Sequence, residues 1–365
     1  MHIAIDARII NSSTGRYVER LLHYLEKIDR DNHYTILVRA KDETYWTPSS
    51  NNFTVRVAEF DNYSLAEQTG FKRFLDDLKA DLVHFCMPQQ PVLYTGAKVT
   101  TVHDLTLLNT YNSDKPWLAF KFKQLVGRFV FKKVGRDSRF IITPTNYTKN
   151  AFVRFAGINQ NKVIVTHEAA ETDITTTKPY ELPFKRFIMY VGQQPDYKNI
   201  RRLGDAHQKL LDRHPDLGLV LVGKKADDTL ANEAYFTDKG YKNIHFTGFI
   251  PDEQRDWLLQ HTDGYVFPST MEGFGLPGLE AMAAGAPVIS SDATCLPEVY
   301  GDAAEYFDPR DTDDMAAAIE RVISDDKLRK ELIKLGTKQV ARYSWKRMAE
   351  QTHAVYMKAL SSVRE

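Results

Sequence analysis

In the stretch MEGFGLPGLEAMAAG, residues 271–285, Glu272 and Glu280 flank a turn that contains Gly273, Gly275, Pro277 and Gly278. The glycines permit a backbone that approaches a ligand closely, and Pro277 is preset for the first turn of a helix. The alanine-rich run that follows reads as that helix. Its first N–H groups, with the helix dipole behind them, would favour an anion such as a diphosphate. Glu280 is expected in the first helical turn, where a carboxylate is favoured and can accept hydrogen bonds from a sugar, and Glu272 lies across the turn. Like charges make poor phosphate ligands but good grips for neutral hydroxyls on either side of one. The pattern therefore suggests a nucleotide sugar, with ribose on one side and hexose on the other. The spacing alone leaves open the plainer alternative, in which Glu280 only stabilises the helix and Glu272 faces water.

Such a turn has to be held at the end of a strand. Apolar β-rich runs alternate with helical patterns along the whole chain, the sign of βαβ units and parallel sheets buried on both faces. The first series is HIAID, YTILVR, FTVRVAE, DLVHF, KVTTVHD and FIITP, with helical stretches at Tyr17–Ile28 and Leu65–Leu78. The second is RFIMYVG, LGLVLVG, NIHFTGF, GYVFPS and APVISSD, with a helix capped by Asp311 in DTDDMAAAIERVISDD. Between them ETDITTTKPYELPF, residues 171–184, has no apolar periodicity and reads as the interdomain linker. The expected fold class is α/β: two Rossmann-like, doubly wound parallel-sheet domains facing a cleft. The boundaries are 1–175, 176–345, and a C-terminal helix over 346–365. Ligands in such folds bind outside the carboxyl ends of the strands. Three loops of the second half qualify, VGQQPDYKN, VGKK and STMEGFGLPGLE.

Composition narrows the partners. A chain of 365 residues exceeds what one hydrophobic core usually supports, so two domains are the default. The 48 basic residues are balanced by 48 acidic ones, which leaves no global field for nucleic acid or an anionic bilayer. Cys86 and Cys295, far apart in sequence, argue against a disulfide framework and for a reducing, cytoplasmic compartment. MHIAIDARII carries Asp6 and Arg8 and lacks a basic leader, and no apolar run reaches spanning length.

The segment HFTGFIPDEQRDWLLQHTDGYVFPSTMEGFGLPGLEAMAAGAPVISSDATCLPEVYGDAAEYFDP closely resembles the donor-binding half of retaining glycosyltransferases of the GT-B fold, family four. YSWKRMAEQTHAVYMKAL resembles the family's terminal helix, which crosses back to the N-terminal domain. IDARI, TGRY, TVHD and ITPTNYTKNAFVRFAGI extend the resemblance into the first half. The resemblance implies that Glu272 contacts the transferred sugar and Glu280 the nucleoside ribose, with the backbone of Gly273, Phe274, Gly275 and Leu276 holding the diphosphate and sugar between them. Lys198, in PDYKN, matches the lysine that neutralises the leaving diphosphate, a task suited to a point charge. Gln193 stands where the family usually has an arginine, and Arg201, Arg202 or Lys224 are candidates to compensate. Gly15 matches a glycine-rich loop lying against diphosphate and acceptor, although Ser13 replaces its first glycine, and Arg16 is either part of the phosphate site or a surface group. His103, ending TVHD, matches a histidine that reaches the donor sugar. The competing reading is a strand-end histidine bonded to Asp104.

The implied reaction moves a hexose, GDP-mannose being the favoured donor, to an acceptor hydroxyl with retention of configuration, in glycan or polysaccharide biosynthesis. The leaving phosphate accepts the acceptor's proton. No cofactor or metal is expected, since the histidines are scattered and Asp313 and Asp314 belong to a helix start. Alternatives are a UDP-sugar-dependent glucosyl- or N-acetylglucosaminyltransferase, another enzyme on the same scaffold such as a phosphorylase, or a non-catalytic nucleotide-sugar-binding subunit. Partners are the nucleotide sugar and a glycan or lipid-linked acceptor. KPWLAFKFKQLVGRFVFKKVGR, aromatic and basic, reads either as a weak contact with a membrane's inner face or as an ordinary helix with a solvated basic side.

Overall fold

A parallel strand covered on both faces needs apolar residues at nearly every position, and the interior strand Leu217–Val222 (LGLVLV) has them. The computed structural model describes residues 1–12, 14–62, 64–109, 117–172 and 176–361. Ser13 and residues 173–175 of the expected linker lie outside the described residues. The chain divides into two units: the first comprises the described residues of 1–109, 116–168 and 344–365, the second those of 169–343.

The first unit holds a seven-stranded parallel sheet. Its strands are β1 (His2–Asp6), β2 (His33–Val38), β3 (Phe53–Val57), β4 (Leu82–Phe85), β5 (Lys98–Thr101), β6 (Phe140–Thr143) and β7 (Val163–Val165), in the order β3-β2-β1-β4-β5-β6-β7. Ile3, Ala4 and Ile5 on β1 and Leu82 and Val83 on β4 are fully buried. Helices α1 (Gly15–Ile28), α2 (Trp117–Asp137) and α3 (Asn146–Ala156) cover the sheet. Gly15 opens α1 because nothing larger fits: a Cβ there would lie 1.9 Å from the carbonyl oxygen of Ile10. The C-terminal helix Trp345–Ser361 packs on α1. His353 Nε2 bonds Asp29 Oδ2 at 2.9 Å, and the Tyr356 hydroxyl meets His84 Nδ1 at 2.6 Å.

The second unit holds a six-stranded parallel sheet of β8 (Arg186–Val191), β9 (Leu217–Val222), β10 (Ile244–Gly248), β11 (Gly264–Phe267), β12 (Val288–Ser291) and β13 (Ala304–Phe307). Their order is β10-β9-β8-β11-β12-β13. The order reverses between β8 and β11, so the loops after these two strands, far apart in sequence, are neighbours at the carboxyl edge. They lead into α4 (Ile200–Leu210) and α5 (Leu276–Ala283).

Two strands, β7 and β13, escape the sequence reading. Both are short edge strands with half-exposed residues, so neither shows the unbroken apolar run that marks a buried parallel strand. The stretch read as one helix over Leu65–Leu78 is helical throughout, with a π-turn at Glu67–Phe71. Asp311 caps its helix as expected, accepting from the backbone N–H of Asp313 at 2.8 Å and of Asp314 at 3.1 Å.

Candidate active site

In the second unit the loops after β8 and β11 bring together the residues singled out by type. After β8 the backbone turns through Gln193 and Pro195 into a 3-10 turn, Asp196–Lys198. Asn199 then adopts a left-handed conformation (φ 61°), which asparagine tolerates better than most residues. Its side-chain amide donates to the carbonyls of Pro268 (3.1 Å) and Pro309 (2.8 Å), tying this turn to the loops after β11 and β13. Thr270 N–H donates to the Tyr197 carbonyl at 2.8 Å, a second tie between the two loops. Lys198 is thereby aimed at the second loop: its Nζ lies 2.5 Å from Glu272 Oε1, with only 14% and 13% of the two side chains exposed. The ammonium also sits 5.2 Å from the ring centroids of both Tyr197 and Phe267, so π-faces support the charge.

Glu272 is fixed by its backbone. Its N–H donates to Thr294 Oγ1 (3.2 Å), and its carbonyl accepts from the Cys295 thiol (3.3 Å). Thr294 has φ 58°, a costly conformation for a β-branched residue. Sequence reading missed this clamp, and a threonine in a left-handed turn leaves no signal in sequence. Gly275 (φ 92°) precedes α5 and its carbonyl accepts from the buried Tyr300 hydroxyl at 2.6 Å. A Cβ at Gly278 would lie 2.3 Å from the Tyr300 ring, so this glycine is required by close packing. Phe274 is buried edge-on against Tyr343, 5.5 Å between ring centroids.

One expectation about this turn is corrected. α5 begins at Leu276, so Glu280 is its fifth residue and falls in the second turn, and the first turn holds no acidic residue. The left-handed Gly275 delays the start of the helix. Glu280 is half-buried, so its carboxylate is not simply a solvated helix stabiliser.

The side chain of Gln193 is exposed, while its carbonyl accepts from the buried Tyr190 hydroxyl at 2.7 Å. Of the three candidate substitutes for an arginine here, Arg202 is committed to Asn199 Oδ1 (2.8 Å) and the Pro309 carbonyl (2.9 Å). Arg201 bonds Asn232 Oδ1 (3.0 Å) and lies over Tyr235. Lys224, exposed just beyond β9, rests over the Phe249 ring at 5.7 Å. A pocket of about 230 Å³ lies against α4, lined among others by Gln194, Arg201, Arg202 and Asn232. Neither Lys198, Glu272 nor Glu280 lines it, whereas Pro195, Asp196 and Asn199 of the turn that carries Lys198 do.

In the first unit His103 follows β5. It is not bonded to Asp104, whose Oδ1 instead accepts from Thr106 N–H at 2.7 Å. Its Nδ1 lies 3.1 Å from Glu168 Oε1, and its Nε2 donates to the Cys86 carbonyl at 3.1 Å. Tyr17, in the first turn of α1, packs edge-on against the ring, 4.8 Å between centroids. The Tyr17 hydroxyl shares Thr101 Oγ1 (3.0 Å) with His84 Nε2 (2.8 Å). His84 is fully buried, and burial pushes its pKa down to about 3. Gly15 stands at the N-terminus of α1, at the same carboxyl end of the sheet. Sequence reading did not mark Glu168 or Tyr17. Among the described residues no cluster of three His, Cys, Asp or Glu side chains could hold a metal ion, and no helix is long and apolar enough to cross a membrane. Cys86 and Cys295 are both buried free thiols.

Comparison with known proteins supplies the class. Residues 177–339 match the family described as Glycosyl transferases group 1. The chain is 31% identical over 234 residues to the O-antigen chain mannosyltransferase B of Escherichia coli, across 60% of this chain and 61% of that protein. It thus spans less than two thirds of that relative's length. Sucrose-phosphate synthase from Thermosynechococcus elongatus superposes with a TM-score of 0.78 at 18% identity, over 99% of this chain and 100% of that one. Anabaena HepE in complex with UDP and glucose superposes with a TM-score of 0.73 at 16% identity, over 98% and 99%. The chain has the GT-B fold, and its match to glycosyl transferases group 1 falls within the second unit. In sequence it is mannosyltransferase-like.

Proposed function

We propose that the protein transfers mannose from GDP-mannose to an acceptor hydroxyl of a growing glycan or lipid-linked saccharide, with retention of anomeric configuration and without a metal ion. The observation that carries this reading is the Lys198–Glu272 contact at 2.5 Å beside the entrance of α5. It puts a cation suited to a diphosphate next to an acid suited to sugar hydroxyls. Paired in this way, each neutralises the other. When donor binds, Lys198 turns to the diphosphate, Glu272 to the hexose, and Glu280 to the ribose. The amides at the start of α5 add a positive field on the leaving group, and preorganised donors of this kind are each worth about 3 kcal/mol in a dry site. The bond from C1 to the leaving phosphate oxygen breaks, and the bond from C1 to the acceptor oxygen forms on the same face. The acceptor's proton passes to the leaving phosphate. The mannosyltransferase-like sequence supports the choice of sugar.

The test is a thermal-shift screen of nucleoside diphosphates and their sugars, followed by transfer assays with and without a chelator and by NMR of the product anomer. Tight binding raises the midpoint. GDP-mannose is expected to protect most, with undiminished transfer in chelator and a retained anomer. Preferential protection by a UDP-sugar would move the chain to the runner-up donor, which the HepE complex with UDP and glucose supports. Donor binding without turnover across an acceptor panel would make it a binding subunit. We place the protein in the cytoplasm, with α2 as the contact for a lipid-linked acceptor at the membrane. Its Leu125 and Phe129 are 66% and 60% exposed beside exposed Arg128 and Lys132. Failure to sediment with anionic vesicles would remove that contact.

A further inference from the structure

The pocket of about 230 Å³ against α4 is lined by a chain of hydrogen bonds whose direction is fixed at one end. A guanidinium only donates, so Asn232 must turn its side-chain oxygen to Arg201 Nε, 3.0 Å away. The Asn232 amide nitrogen then faces Gln194, donating to its Oε1 (3.2 Å) and its backbone carbonyl (3.3 Å). That spends the side-chain oxygen of Gln194. Its NH2 group has no partner among the described residues, although the residue lines the pocket and is only 3% exposed. A donor left over on a buried amide is a cost that a ligand acceptor would remove. The Nη groups of Arg201 are likewise unspent, its guanidinium resting over the Tyr235 ring at 5.2 Å. Arg202 brings a second guanidinium to the same wall. The first turn of α4 lies there too, and the Asn199 side chain does not cap it.

These donors call for an anion rich in acceptors, yet two carboxylates, Asp196 and Asp205, also line the pocket. Asp205 already serves hydroxyls: its Oδ1 accepts from Tyr241 (2.7 Å) and Tyr235 (3.1 Å), and its Oδ2 has no hydrogen-bond partner among the described residues. A bare phosphate would meet the carboxylates as like charges, whereas the hydroxyls of a phosphorylated sugar would donate to them. We propose that this pocket is a second binding site of the protein, for a sugar phosphate. The phosphoryl oxygens accept from Gln194 Nε2 and the guanidinium groups of Arg201 and Arg202, and sugar hydroxyls donate to Asp205 and Asp196. The site lies wholly within the second unit and does not depend on which nucleotide sugar is the donor. It is not the place assigned to the leaving diphosphate, because the Lys198 and Glu272 side chains lie outside it.

The experiment is calorimetric titration of the full chain with mannose 6-phosphate, inorganic phosphate and mannose, each on the wild type, Arg201→Gln, Gln194→Met and Lys198→Met. Mannose 6-phosphate is expected to bind the wild type and Lys198→Met with the same Kd. Inorganic phosphate should bind more weakly, and mannose not at all. Arg201→Gln is expected to weaken mannose 6-phosphate by about 10- to 100-fold, the loss of a hydrogen bond to a charged group converted to a ratio of Kd values. Gln194→Met, which keeps the Arg201–Asn232 contact, should weaken it as well, so either variant that retains the wild-type circular dichroism decides. No binding of mannose 6-phosphate to the wild type at millimolar concentration overturns the proposal. Binding lost in Lys198→Met but kept in Arg201→Gln overturns it too, because the ligand would then occupy the diphosphate site. Inorganic phosphate binding as tightly as mannose 6-phosphate overturns the assignment of the carboxylates to sugar hydroxyls.

Discussion

Replacing Lys198 by methionine separates the two roles assigned to the Lys198–Glu272 pair. The side chains are 14% and 13% exposed and meet at 2.5 Å, so the substitution leaves a carboxylate largely out of water with its partner gone. An unpaired group of this kind costs about 1–3 kcal/mol. In a unit of this size each kcal/mol moves Tm by about 2–4 °C, giving an expected fall between about 2 and 12 °C. Adding Glu272→Gln removes the stranded charge, so the double variant should regain most of that loss. Transfer should behave otherwise. Without its cation for the leaving diphosphate, Lys198→Met should lose about 10²- to 10³-fold in kcat, and the double variant should be no better, since it also lacks the sugar's acid. Donor at a hundredfold excess over Kd raises wild-type stability by about 2.7 kcal/mol, and this protection should shrink in both variants. The assays are thermal melts with and without donor, and nucleotide release in the presence of acceptor. Recovery of transfer together with Tm in the double variant would refute the argument, because the pair would then be structural only.

Gly278→Ala should destabilise the second unit by about 1–3 kcal/mol, since the new methyl would sit 2.3 Å from the fully buried Tyr300 ring; an unchanged urea midpoint would show that the turn yields freely. Acid should weaken both units through buried neutral histidines, His84 held down at about 3 and His207 at about 4 by burial, against an ordinary 6.5. Below pH 6.5 the unfolded chain takes up a proton that the folded one refuses. Stability is therefore intact above that pH and falls by about 1.4 kcal/mol per unit per histidine as pH drops towards the folded value. Denaturant titrations of the wild type and His84→Gln between pH 7 and 5 should show a shallower slope in the variant.

The legible parts of this protein are those whose signal is local. Unbroken apolar runs such as LGLVLV and GYVF announce buried parallel strands, and both occur where expected. The glycines around Gly275 announced a turn entering a helix, which is what α5 has. The register of that helix was not legible, because a single left-handed residue delayed its start and moved Glu280 into the second turn. The edge strands β7 and β13 were missed because a half-exposed strand loses the apolar run by which it is recognised.

Sequence by itself determined the residue types of the candidate site and the strand ends on which they sit. Lysine, glutamate, histidine and glycine next to β-rich runs follow from near-neighbour patterning. Only tertiary structure decided who meets whom. Lys198 reaches Glu272 because β8 pairs with β11 in the sheet, skipping β9 and β10. His103 finds Glu168 rather than the adjacent Asp104, and Thr294 and Cys295 clamp the backbone of Glu272. The physical reason is that strand order is set by how helices and sheet bury their apolar faces over the whole domain, and a spacing along the chain carries no record of that choice.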